Sequence, residues 1–259
     1  MAVARIRRAS YAEVVGYWIS YEYNDRKDFR DYVDSHFSEE DVRKYIISSP
    51  HDYNDSKANA RRLTMLKGYR KFISWFSHAE WWVVSLSMED VSNLLVIHSH
   101  HWDLLSSGSV RALDIARGID EKKWKKLKND NTLSLSEPGE FEHIRTVAKQ
   151  EAKKITTGLK RKVKSKNPSR IVVIGADGGE ELTVIDGVHR AVRLCLYYVI
   201  RGKQEKEEGD ENPTQEAYLG ITPNPLRRST KEWDDVGEFF ERVSSENQTL
   251  ISSRLSRRG

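Results

Sequence analysis

The sequence predicts an α+β protein, and three observations indicate this class. Apolar residues recur at helical spacing over much of residues 10–80. A longer helical pattern runs from Phe141 to Lys164. Two short apolar runs follow it, Ile171–Ile174 and Leu182–Ile185, and their β-branched composition is typical of buried strands.

The composition is that of a folded chain. Its 259 residues suit one large domain or two small ones. An apolar share of 38%, with seven Trp and eleven Tyr, can build a core and argues against global disorder. The net charge of +4 does not by itself indicate nucleic-acid binding.

Cysteine content and hydropathy bear on the compartment. The single cysteine, Cys195, allows no internal disulfide and excludes a cysteine metal cage, which suits a reducing compartment. The basic N-terminus is not followed by an apolar stretch, unlike a signal peptide. No segment reaches the roughly 18 apolar residues of a membrane helix. We therefore expect a cytoplasmic protein with no membrane partner.

Residues 1–79 are predicted to form a helical N-terminal region. Ser38, followed by three acidic residues, indicates a capped helix start, and Ala58–Phe76 has helical spacing. This region is either a separate subdomain or the first layer of a single fold. We predict the main domain over residues 80–245 and a mobile basic tail over residues 246–259.

The main domain is predicted to open with a strand and a helix. Trp82–Leu86 is aromatic and β-branched, which favours a strand. Ser87 stands as an N-cap with Asp90 three residues later, which opens a helix. Residues 98–140 show only short helical pieces and polar loops.

The C-terminal half is predicted to contain a hairpin, a helix and a further strand. Asp177-Gly178-Gly179 suits the turn between the two apolar strands. Gly187 is the pivot from the second strand into an apolar helix, His189–Ile200. Ala217–Ile221 is the last predicted strand, and a terminal helix is expected around residues 233–243.

The run Asp186-Gly187-Val188-His189-Arg190 is the strongest chemical signal. A strand that turns through Asp-Gly into a helix leaves free backbone N–H groups at the helix start, and these favour an anion. Gly187 would let the backbone approach a ligand, and Arg190 would grip phosphate oxygens. His189 could donate a hydrogen bond or move a proton.

Asp186 has three possible roles in this turn. It could cap the helix, hold a magnesium ion or act as a base. The alternative for the whole run is an ordinary turn with a solvated helix start.

Residues 141–200 resemble the ParB/sulfiredoxin-like fold. In that family a long helix precedes a strand, a hairpin and an Asp-Gly-x-His-Arg or Gly-x-x-Arg turn, here Asp186–Arg190. The strand Trp82–Leu86 and the helix from Glu89 match the family's opening elements as a pattern. The resemblance does not extend to residues 1–79.

The resemblance implies use of a nucleotide, such as ATP, with magnesium. Val188 stands where sulfiredoxin has its reactive cysteine, so that chemistry is excluded. ParB partition proteins carry a following helix-turn-helix domain, for which the residues after Gly220 are too few, although the N-terminal helices could hold one. The Asp-Gly-x-His-Arg form is closest to the free serine kinases, which phosphorylate a small hydroxyl compound. Kinase members place a glutamate near the opening strand and helix, and Glu89 is the matching position, with Asp90 as second choice.

Two further features leave other functions open. The basic run from Lys153 to Arg170 could guide nucleic acid instead, or form a solvated helix face; its candidate contacts are Lys160, Arg161, Lys162 and Lys164. The segment His98-Ser99-His100-His101 could contribute to a metal site or to an active-site loop.

We therefore predict a phosphotransferase or NTPase with catalytic residues Glu89, Asp186 and His189, and phosphate-binding residues Gly187, Val188, His189 and Arg190. A ParB-type nucleic-acid-binding protein and a regulatory protein without catalysis are the alternatives.

Overall fold

A six-stranded mixed sheet lies between two layers of helices. The architecture comes from a computed structural model, which describes residues 3–48, 53–69, 76–97, 99–126, 139–157, 169–176, 181–200 and 213–222. The α+β class predicted from the sequence is confirmed, because the chain combines helices with a mixed sheet.

The strand order in the sheet is β1-β2-β6-β4-β5-β3. Neighbouring strands are antiparallel except for β4 with β6 and β3 with β5, which are parallel. The strand bounds are β1 Ala4–Ala9, β2 Glu80–Ser87, β3 Leu95–Val96, β4 Ile171–Ala176, β5 Leu182–Asp186 and β6 Thr214–Thr222.

Helices occupy most of the intervals between the strands. Their bounds are α1 Tyr11–Asp25, α2 Lys27–His36, α3 Glu39–Val42, α4 Ser56–Tyr69, α5 Met88–Asn93, α6 His100–Ser106, α7 Ala112–Asp120, α8 Lys123–Lys126, α9 Glu140–Thr157 and α10 Val188–Leu194. Helices α3 and α10 continue as π-helical segments, Arg43–Ser48 and Cys195–Ile200. No helix in the described ranges combines the length and the apolarity needed to cross a bilayer.

The N-terminal helices cover one face of the sheet. Their buried side chains, such as Trp18 and Phe29, join one cluster with the sheet residues Val83, Val172 and Tyr218. Because a helix with an apolar stripe must bury it against another element, this packing favours residues 1–79 as a layer of one fold.

Strand β1 was not predicted, and the helical region expected over residues 1–79 begins with this strand. It pairs antiparallel with β2 and forms one edge of the sheet. Its sequence is rich in arginine, and five of its six residues are exposed. Charged side chains are typical of edge strands, where they discourage pairing with other chains, but they hide the apolar alternation used to recognise a strand.

The second helical layer covers the opposite face. Helix α9 contributes a stripe of buried residues that includes Phe141, Ile144, Ala148, Ala152 and Ile155. Strand β4 lies in the middle of the sheet, and five of its six residues are buried. Its continuous apolar sequence is typical of a strand covered on both faces.

Most of the predicted elements of the main domain are confirmed. Strands β2, β4, β5 and β6 appear where expected, and α5 begins after Ser87 with the predicted capping box to Asp90. Helix α9 is described only as far as Thr157. The predicted turn at residues 177–179, the terminal helix and the basic tail lie outside the described residues.

Candidate functional site

The turn between β5 and α10 joins the two helical layers. Strand β5 ends at Asp186, Gly187 has a φ of 92°, and α10 begins at Val188. Glycine adopts this left-handed conformation without the steric penalty that other residues meet. A Cβ on Gly187 would also lie 2.6 Å from Cγ2 of Ile171. The glycine therefore makes room for a core side chain, and its predicted close approach to a ligand stays a prediction.

Arg190 holds the turn in place. Its Nη1 donates to the carbonyl oxygens of Ser169 and, at 2.8 Å, Arg170, just before β4. Its Nη2 donates to the hydroxyl of Tyr21 on α1 at 2.9 Å, and the guanidinium lies 5.1 Å from the centre of that ring. These contacts give Arg190 a structural role, and its grip on phosphate stays a prediction.

His189, the neighbouring residue, contacts the other helical layer. Its Nε2 hydrogen-bonds Glu151 Oε2 on α9. Lys154 donates to the second oxygen of the same carboxylate at 2.6 Å. The histidine side chain is 41% exposed, whereas that of Glu151 is only 13% exposed. The Glu151–His189 pair thus has a half-buried carboxylate beneath a more exposed imidazole.

The charge state of Glu151 follows from its contacts. Burial alone would raise the pKa of the carboxyl, but the hydrogen bonds from His189 and Lys154 outweigh it and lower the pKa to about 2. Glu151 is therefore ionised at neutral pH and can act only as a hydrogen-bond acceptor.

Helix α6 adds aromatic and histidine side chains beside this pair. The ring of Trp102 meets that of His189 edge-on, with the centroids 6.0 Å apart. The ring of His101 packs against that of Trp102 at a tilt of 51°, with the centroids 4.6 Å apart, and it hydrogen-bonds the hydroxyl of Ser99. Burial lowers the pKa of His101 to about 4, so this imidazole is neutral at pH 7.

The predicted metal sites find little support in this arrangement. Within the described ranges, no group of three or more His, Cys, Asp or Glu side chains is placed to hold a metal ion. His98 lies outside these ranges. Asp186, the predicted magnesium ligand, lies near Tyr17 and Tyr21, whose pKa values are raised by burial first and by this carboxylate in addition. The magnesium role of Asp186 stays a prediction.

Glu89 lies far from the turn, so the structure does not bring it together with Asp186 and His189. Val83, Tyr218, Val172 and Asp186 form one row across β2, β6, β4 and β5. Ser87, just before α5, lies four residues along β2 from this row, and β2 is three strands across the sheet from β5. These two offsets place the Cα atoms of Ser87 and Asp186 roughly 19 Å apart.

Glu89 belongs instead to a separate polar cleft. The cleft has a volume of about 500 Å³ and is lined by Ala4, Ser85, Ser87, Glu89, Asp90, Asn93 and Thr214. Asp90 accepts hydrogen bonds from the backbone and side chain of Ser87, so it caps α5. Neither acid is placed to serve chemistry at the turn.

The backbone at the start of α10 is the predicted anion site. The amides of Arg190 and Ala191 donate to the carbonyl of Gly187. Gly187, as the N-cap residue, provides no side-chain cap. Amide groups in the first turn of a helix favour an anion, so binding of an anion beside the His189 side chain stays a prediction.

Glu151 was missed by the sequence analysis, although a signal was present. It lies three residues after Ala148 and four before Ile155, so it borders the buried stripe of α9. An acid beside an apolar stripe requires a partner, which His189 and Lys154 supply. The predicted nucleic-acid contacts Lys160, Arg161, Lys162 and Lys164 lie outside the described residues, and their role stays a prediction.

Comparison of the chain with protein-family models, with curated proteins and with solved structures finds no match.

Proposed function

We propose that this protein is a nucleotide-dependent phosphotransferase or nucleotide hydrolase whose chemistry takes place at His189. The observation that carries the proposal is the hydrogen bond from the imidazole to the ionised carboxylate of Glu151. An imidazole held by a carboxylate can act through its second nitrogen as a base or as a nucleophile.

Glu151 is a positioning residue in this proposal. Its carboxylate orients the ring of His189 and stabilises the positive charge that the ring acquires during reaction. Lys154 occupies the other carboxylate oxygen and keeps Glu151 from rotating away. The arrangement therefore fixes which ring nitrogen faces the substrate.

Anion binding beside His189 would come from the first turn of α10 and from Lys154. The amides at the helix start favour negative charge, and the Lys154 side chain is 61% exposed. The resemblance of the segment 141–200 to the ParB/sulfiredoxin-like fold supports a nucleotide as the source of that anion. The order α9, β4, β5 and α10 is the order expected from that resemblance.

The proposal is tested with the full chain and a panel of ribonucleoside triphosphates with magnesium. Product formation is followed by chromatography with and without small hydroxyl compounds such as serine. We expect His189→Gln to reduce turnover about 100-fold or more, which is the usual contribution of an acid–base or nucleophilic residue. His143→Gln is the matched control, because His143 is exposed on α9.

Glu151 requires a test that separates positioning from folding. Glu151→Gln should lower kcat with little change in KM, and Glu151→Asp should restore part of the rate. Glu142, exposed on the same helix and paired with Arg145 at 2.8 Å, is the control position for the Gln substitution. Nucleotide binding without turnover in the unmodified protein would favour the regulatory alternative. Neither binding nor turnover with any nucleotide would refute the proposal.

A further inference from the structure

The Glu151–His189 pair determines which nitrogen of the imidazole carries the proton. Because the ionised Glu151 can only accept, the Nε2 of His189 must be the donor. In the neutral imidazole the second nitrogen, Nδ1, then holds the free lone pair. The site therefore presents a nitrogen nucleophile of defined tautomer.

Nδ1 of His189 is also accessible. Among the residues that the structure describes, no group hydrogen-bonds this atom, and it is not one of the buried unsatisfied polar atoms. Trp102 packs edge-on against the ring and restricts its rotation. An activated nucleophile needs this combination of a free lone pair, a fixed ring and a charge-stabilising partner behind it.

From this geometry we propose that His189 is a covalent phosphate acceptor, which takes the terminal phosphoryl group of a nucleoside triphosphate on Nδ1. The inference rests on the proposed function and deepens it. It replaces a direct transfer between donor and acceptor with a double displacement through a phosphohistidine.

In the first step, the Nδ1 lone pair forms a bond to the terminal phosphorus, and the bond from that phosphorus to the bridging oxygen breaks. The electron pair of that bond leaves with the nucleoside diphosphate. The ring becomes cationic, and its Nε2–H remains hydrogen-bonded to Glu151, which stabilises the charge.

The second step regenerates the histidine. A hydroxyl compound or water attacks the phosphorus, the bond from phosphorus to Nδ1 breaks, and its electron pair returns to the ring. The proton of the attacking hydroxyl passes to the solvent. The imidazole is again neutral with its proton on Nε2, so the chain is unchanged after one cycle.

The experiment uses the full chain with ATP labelled in the terminal phosphate, magnesium and no acceptor. We expect labelled protein whose label is lost in acid and kept in alkali, as phosphoramidates behave. Mass spectrometry should place the phosphoryl group on His189, and antibodies specific for the two phosphohistidine isomers should identify Nδ1. His143→Gln should be labelled like the unmodified protein, whereas Glu151→Gln should be labelled about tenfold more slowly or less.

A second measurement does not depend on any variant or on accumulation of the intermediate. A reversible first step exchanges labelled ADP into ATP in the absence of acceptor. Turnover that depends on His189, without labelling or exchange, would overturn the covalent step and leave the proposed function intact. Label on Nε2 or on another residue would also overturn it, and absence of all nucleotide turnover would remove both proposals.

Discussion

Gly187→Ala tests whether the glycine of the turn is needed for packing or for a ligand. The substitution has two costs in the structure. A left-handed φ of 92° costs a non-glycine residue about 1–2 kcal/mol. The new Cβ would lie 2.6 Å from Cγ2 and 3.0 Å from Cβ of the fully buried Ile171, and such overpacking costs about 1–3 kcal/mol.

Gly108→Ala is the matched control, because it has only the first of these costs. Gly108 has a φ of 84°, and a Cβ there would meet nothing within 4 Å. Both substitutions stiffen the unfolded chain to the same extent, so this effect cancels in the difference. We expect Gly187→Ala to lower the free energy of unfolding by about 1–3 kcal/mol more than Gly108→Ala.

The assay is urea denaturation at pH 7, followed by tryptophan fluorescence. In an Ile171→Ala background the Gly187→Ala substitution should cost less, because the methyl group at 2.6 Å is gone. The change is read as a coupling energy in a double-mutant cycle. Equal destabilisation by Gly187→Ala and Gly108→Ala would refute the packing role and return Gly187 to the ligand-binding role predicted from the sequence.

Three other substitutions test separate contacts of the fold. Ser87→Ala removes the N-cap of α5 and should lower the free energy of unfolding by about 1 kcal/mol in urea denaturation. Tyr21→Phe keeps the ring under Arg190 but removes the hydroxyl that its Nη2 donates to, and calorimetry should show a loss of about 1 kcal/mol. His101 has a pKa of about 4 in the folded protein and about 6.5 when unfolded, so the unfolded chain binds the proton first as the pH falls. His101 should therefore lower stability by about 2 kcal/mol between pH 7 and pH 5. In His101→Gln the drop over this interval should be smaller by that amount, and an unchanged drop would contradict the burial of a neutral imidazole.

The elements that the sequence predicted well are those determined by local pattern. Strand β4 was predicted because a central strand covered on both faces reads as an apolar run. Helix α5 was predicted because Ser87 and Asp90 have the spacing of a capping box. Strand β1 was missed because an edge strand tolerates arginine at positions where the pattern requires apolar residues.

The candidate site was harder to predict, because its contacts join distant parts of the chain. His189 and Glu151 are 38 residues apart, and neither local sequence pattern indicates that the two side chains are in contact. The strand, the glycine turn and the helix start were predicted correctly, but the partners of Arg190 were not predicted. Two of them are the backbone carbonyls of Ser169 and Arg170. Because every residue has a backbone carbonyl, the residue types at these positions do not indicate the contact.

Neighbouring residues in the turn contact opposite layers. This arrangement separates the residue that stabilises the turn from the residue that carries the proposed chemistry. Successive residues in a helix are about 100° apart around its axis. Arg190 can therefore bind Tyr21 in the N-terminal layer while His189 binds Glu151 in the other. The imidazole of His189 lies in the same first helical turn that Arg190 anchors. Loss of the Tyr21 hydroxyl should therefore affect the proposed reaction only indirectly, because it loosens that turn. Loss of the Glu151 carboxylate should impair the reaction while leaving the Arg190 anchor intact. A Tyr21→Phe variant that kept full stability but lost activity would show that the N-terminal layer acts on the substrate directly.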